Sequence, residues 1–96
     1  MGTLSGYKII ELSGIGPGPL CGMLLSDLGA EVIRIDRSHT AMPHSDPKFD
    51  ITGRNKKSIC LNLKDKDSKD IFFRLIKDAD ALIEGFRPGV TEKLGI

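Results

Sequence analysis

Tryptophan is absent from these 96 residues, aromatic side chains make up only 5% of them, and there are two cysteines and two histidines. Each scarcity removes a class of function. With so few aromatic rings, no stacking platform accompanies the basic residues, which argues against nucleic acid as a partner. Cys21 and Cys60 lie far apart among apolar neighbours. Without the spacing of a zinc site or the density of a disulfide framework, they read as buried free thiols. His39 and His44 share one polar stretch with no clustered cysteine or carboxylate. They read as solvated loop side chains rather than metal ligands, and no base, orienting group and nucleophile come together around them. Charge of one sign is missing too: 14 Lys+Arg against 13 Asp+Glu leave a net charge of +1, hence no general pull toward nucleic acid or an anionic membrane. Lys8 interrupts the first apolar segment, and no signal-type hydrophobic region precedes it. No membrane partner and no metal are expected.

What is present is a chain that is 40% hydrophobic, with its apolar residues in short periodic runs. Tyr7 to Leu12, YKIIEL, predicts a strand with apolar contact on both faces. The glycine-proline stretch LSGIGPGP follows. Pro19 suits the first position of a helix, and Leu20, Met23, Leu24 and Leu28, with Cys21 and Leu25, form a broad apolar stripe that Gly29 ends. Glu31 to Asp36 predicts a second strand. Strand, tight loop, helix and strand within about thirty residues make a right-handed βαβ unit.

From Ser38 to Asn55 the pattern dissolves, with Phe49 and Ile51 as apolar anchors, and a connection of this length reads as a binding loop, a lid or disorder. Ser58 to Leu63, SICLNL, predicts a third strand. Asp65 or Asp67 caps a helix whose apolar positions are Ile71, Phe72, Leu75 and Ile76. Ala79 to Glu84 predicts a fourth strand. Val90 to Leu94 opens a last helix that stops before its apolar face finds a partner. The expectation is an α/β fold in which residues 1–96 form the opening, incomplete part of a larger domain.

Gly14, Gly16 and Gly18 occupy the place of a dinucleotide-binding turn, and Asp36 stands where a ribose-binding acid would. Pro19 nevertheless takes the position of the fingerprint's third glycine. The stretch is read as a stiff structural turn or as a close approach to another ligand or chain, in preference to an NAD site. Arg37 follows the second strand, at the edge where open α/β sheets bind ligands. Its planar fork suits a phosphate, unless it is only paired with Asp36. Arg54, Lys56 and Lys57 concentrate cations that either track a phosphate or form a solvated face. Arg87, fixed by Pro88, either binds an anion or turns the chain. Glu11 and Glu84, at strand ends, suit a ligand crevice less well than capping, ion pairing or contact with the rest of the larger domain.

Three ordered blocks make the pattern specific: LSGYKIIELSGIGPGPLCGMLLSDLGAEVIRIDR, then GRNKKSICLNLK, then ALIEGFRPGV. Together they resemble the N-terminal region of the family III CoA-transferases and, within that family, its 2-methylacyl-CoA racemases. The resemblance covers essentially the whole chain. It implies the N-terminal portion of a Rossmann-like, doubly wound domain, in a full-length relative that forms an interlocked homodimer. It implies acyl-CoA as substrate, with CoA carried as part of that substrate and no separate cofactor. Arg37 matches a contact to the CoA phosphates or adenosine, and Leu61, Asn62, Leu63 and Lys64 match a segment lining the nucleotide site. Asn62 stands where Asp is common among the racemases. Arg54, Lys56, Lys57 and Arg87 fall in family segments near the CoA groove.

The catalytic His, Asp and supporting Glu of the racemases, and the acyl-accepting Asp of the transferases, match no position here. The implied function is the CoA-binding portion of a racemase that epimerises the alpha carbon of acyl-CoA thioesters. The alternatives are a transferase moving CoA between carboxylic acids and a truncated, inactive product. Peroxisome or mitochondrion in a eukaryote, and cytoplasm otherwise, are the compartments the family implies.

Overall fold

The computed structural model describes residues 2–37 and 51–96, so His39, His44 and Phe49 lie outside the described residues. Its frame is a four-stranded parallel sheet built from β1 (Lys8–Leu12), β2 (Glu31–Asp36), β3 (Lys57–Cys60) and β4 (Ala81–Ile83), in the order β3-β2-β1-β4. Helix α1 (Pro17–Asp27) links β1 to β2, α2 (Lys66–Lys77) links β3 to β4, and α3 (Val90–Leu94) follows β4. A short 3-10 turn, Ile51–Gly53, precedes β3. This is the strand order of the opening part of a doubly wound, Rossmann-like sheet. The chain runs outward from β1 and then crosses back to place β4 on its other side.

Strand alternation divides the interior in two. Ile10, Leu12, Ile35 and Leu61 form one buried cluster with Phe72 of α2. Phe72 is 2% exposed, and burying it contributes roughly 2–3 kcal/mol. On the other face Ile9, Ala30 and Val32 pack with Leu25 of α1 and Ile83. That second face also carries Glu11, which pairs in register with Arg34 of β2 and Ile83 of β4.

Helix α1 does not sit as its apolar stripe predicts. Leu20, Leu24 and Leu28 point outward at 48%, 52% and 48% exposure, while the residues it buries are Gly22 and Ser26. The cause is the charged side chain beneath it. Glu11 and its partner occupy the sheet face, so the helix approaches with its smallest residues and leaves the leucines outside. Cys21 is exposed with them, and Cys60 is exposed on the edge strand β3, so neither thiol is buried as expected. Other bounds shift as well: α1 starts at Pro17 rather than Pro19, β3 covers Lys57–Cys60 and stops short of Leu63, and β4 is Ala81–Ile83 rather than Ala79 to Glu84.

Candidate functional site

Because all pairings are parallel, Leu12, Asp36, Cys60 and Ile83 end on one edge of the sheet. The direction of winding reverses between β1 and β4, and ligands of open α/β sheets bind outside the carboxyl ends of the strands at such a switch point. The segments leaving this edge are the glycine-proline turn, Arg37, residues 61–64 and residues 84–87.

Three of them converge. The guanidinium of Arg37 lies over the Phe86 ring, 5.7 Å from its centroid, which ties the end of β2 to the segment after β4. Phe86 in turn packs against the cluster holding Leu61 and Phe72, together with Leu63. Leu61 N–H donates to Asp36 O at 2.9 Å, so the chain after β3 continues along β2 before turning. There Asn62 Oδ1 accepts from Lys64 N–H at 3.1 Å and Asn62 O accepts from Asp65 N–H at 2.9 Å. Asn62 thus shapes the turn into α2 by local hydrogen bonding, as an Asx turn does. Leu61 is buried in the core and Leu63 partly so, while Asn62 and Lys64 are exposed. Arg87 is exposed, and its carbonyl accepts from Val90 N–H at 3.1 Å across the turn containing Pro88. The carboxylate of Glu84 is turned back onto Phe86 N–H at 2.8 Å.

Among the described residues no carboxylate pairs with Arg37, Lys64 or Arg87. Asp36, the sequence neighbour of Arg37, is occupied by Arg34, with Nε 2.9 Å from Oδ1 and Nη2 3.3 Å from Oδ2. Asp36 is thus engaged by Arg34, and Arg37 has no carboxylate partner among the described residues. The turn itself is a poor phosphate cradle. Gly16 has φ 82, which glycine adopts without strain. Pro17 and Pro19, however, lack backbone N–H groups in the first turn of α1, the donors that a dinucleotide fold aims at its pyrophosphate.

The basic tract stands elsewhere, and each of its cations holds a carboxylate. Arg54 binds Asp27 at the end of α1 through Nη2 and through Nε, 3.2 Å from Oδ1. Lys57 Nζ lies 3.2 Å from Glu31 Oε2, and Lys8 Nζ lies 3.8 Å from the same carboxylate at Oε1, both at the start of β2 on the opposite edge of the sheet. Lys56 runs inward: its Nζ meets Glu11 Oε1 at 2.7 Å, with the two side chains 1% and 0% exposed, and donates to Pro19 O at 3.1 Å. Burial pushes the Glu11 carboxyl above its ordinary value, opposed by Lys56 and Arg34, while Asp36 adds to the upward push. Ion pairing of Glu11 agrees with its reading from the sequence, but its burial and its partner do not show there. A glutamate in an apolar strand suggests an exposed end, and Lys56 is separated from it by the whole βαβ unit.

The Asp27 carboxyl is held below its ordinary value of 3.8 by its hydrogen bond from Arg54. With the folded value depressed, the pair stabilises the fold above that pH, and the contribution is lost on acidification through the lower, folded value. In Arg54→Ala, followed by NMR of the Asp27 carboxyl, the titration returns upward. An unmoved midpoint would show that Arg54 does not set it.

Likeness to known proteins agrees with this architecture. The CoA-transferase family III profile matches residues 4–96. The chain is 45% identical over 94 residues to an alpha-methylacyl-CoA racemase of Homo sapiens, covering 96% of this chain and 23% of that protein. It is 38% identical over 103 residues to an acetyl-CoA:oxalate CoA-transferase of Acetobacter aceti, covering 98% of this chain and 26% of that one. The crystal structure of a hypothetical protein from Mycobacterium tuberculosis superposes with a TM-score of 0.89 at 34% identity, over 99% of this chain and 28% of that one. The chain thus spans about a quarter of the length of the relatives it matches. With the family profile matched along nearly its whole length and the parallel sheet in place, the chain belongs to the family III CoA-transferases, whose fold it represents in its N-terminal portion.

Proposed function

We propose that this chain supplies the nucleotide-binding part of a 2-methylacyl-CoA racemase. The observation that carries the reading is the convergence at the switch-point edge of Arg37 with the segment bearing Arg87, where neither these two nor Lys64 has a carboxylate partner among the described residues. Their guanidinium and ammonium groups take the phosphates of CoA, the Leu61–Lys64 backbone lines the nucleotide, and Phe86 keeps Arg37 aimed. Arg54, Lys56 and Lys57, each engaged by a carboxylate, support the site from outside it.

The chemistry of such a protein follows from the substrate. A thioester acidifies its alpha C–H: a base takes the proton, the electron pair moves onto the thioester oxygen, and an acid on the other face returns a proton to carbon. Binding the remote CoA handle holds the alpha carbon between the two groups. We assign neither group to this chain. The human relative's greater identity favours the racemase. The Acetobacter relative keeps CoA transfer between carboxylic acids as the second reading.

Titration with CoA tests the binding role. Arg37→Ala binds CoA about 10- to 100-fold more weakly at low salt, the cost of one or two charge-assisted hydrogen bonds, and the difference narrows as salt is added. Equal affinity at every ionic strength would remove Arg37 from the site. In a protein containing this segment, deuterium uptake at the alpha carbon of 2-methylacyl-CoA in D2O distinguishes racemase from transferase. Transfer of CoA to oxalate without that uptake favours the transferase, and neither activity leaves a product that only binds.

A further inference from the structure

The Lys56 ammonium joins three pieces of chain that meet beside the switch-point crevice. It contacts Glu11 near the end of β1, donates to Pro19 O in the first turn of α1, and belongs to the entry of β3. The same helical turn overhangs β4: a Cβ placed on Gly18 would touch Ile83 Cγ2 at 3.8 Å. Toward the edge, a Cβ at Gly14 or Gly16 would meet nothing within 4 Å among the described residues, so none of them covers the turn there. Apolar side chains of similar volume fill a buried space as stably as an ion pair does. What they do not supply is direction, and two contacts from one ammonium fix the turn in a way that packing alone leaves looser.

We propose that Lys56, held by Glu11, is a positioning residue for the ligand site, setting the distance between the turn at 13–18 and β4 and thereby the affinity for the part of acyl-CoA that extends beyond its nucleotide. The inference rests on the CoA reading above. Two probes separate them: CoA, and adenosine 3′,5′-bisphosphate, which has nucleotide phosphates but no arm.

The double variant Glu11→Leu with Lys56→Met binds the bisphosphate as the unaltered chain does and binds CoA on the order of tenfold more weakly, the size of one misplaced polar contact. Unchanged affinity for both probes overturns the proposal, and so does an equal loss for both, which marks a purely structural role. Should the variant not fold, the unaltered chain still decides. The amide resonances of Gly14, Gly16 and Gly18 shift on adding CoA and stay in place with the bisphosphate; amides unmoved by CoA overturn the proposal. If Arg37→Ala weakens both probes while those glycines do not respond, the positioning role fails and the CoA reading stands. If the unaltered chain binds neither probe, both fail.

Discussion

Gly22→Ala unfolds at a much lower urea concentration than the unaltered chain, with a loss of about 2–4 kcal/mol. Helix propensity alone predicts the opposite, since alanine in a helix interior is favoured over glycine by roughly 1 kcal/mol. The sign is decided by what lies under the helix. A Cβ on Gly22 would stand 1.8 Å from Glu11 Oε1 and 2.9 Å from Glu11 Cδ, with Lys56 Nζ at 3.1 Å. A flexible carboxylate at the surface would swing aside, but Glu11 is fully buried and its Oε1 is held by Lys56. Moving it breaks a buried pair, a change that costs about 3–5 kcal/mol. A small domain has only about 5–15 kcal/mol in total. Gly18→Ala is the control: its Cβ would make an ordinary contact at 3.8 Å, so propensity wins and stability holds or rises slightly. If Gly22→Ala matched that control, Glu11 would not be where the structure puts it.

The same close approach explains which parts of the fold were readable from sequence. β2 runs over Glu31–Asp36 and α3 over Val90–Leu94 as expected, because β-branched runs and the glycines bounding α3 are local signals. The orientation of α1 was not readable. Its leucine stripe is the strongest periodic feature of the helix, yet the side facing the sheet is chosen by Glu11, and Glu11 is buried only because Lys56 reaches it from a distant segment. The candidate site divides along the same line. Arg37 and Arg87 each stand after a strand, and that much is local, but the approach of Arg37 to Phe86, the residue before Arg87, depends on strand order. Arg54, Lys56 and Lys57 are near neighbours in sequence and look like one patch. The turn at Asn55, with φ 62, and the alternation of the strand that follows send them to three different carboxylates.

Lys56→Met carries the largest expected loss at neutral pH, about 3–5 kcal/mol, because it strands a carboxylate in the interior. Its pH dependence identifies the cause. Burial already raises the Glu11 carboxyl above its ordinary 4.5, and Lys56 is the main influence opposing that rise, with Arg34 also lowering it and Asp36 raising it. Without the ammonium the folded value climbs further. The native state then binds a proton that the unfolded chain has released, so stability falls as pH rises from the unfolded value to the folded one. Read in the other direction, the deficit of Lys56→Met shrinks as the solution is acidified through and below 4.5, where the carboxyl becomes mostly neutral in both states. Adding Glu11→Gln removes the titrating group, so the double variant recovers most of the neutral-pH loss and its difference from the unaltered chain no longer steepens with pH. Urea unfolding at several pH values measures all three proteins. A deficit that stays constant from neutral to acid pH would mean that Lys56 acts by filling space, and the charge on Glu11 would then have no part in holding α1 to the sheet.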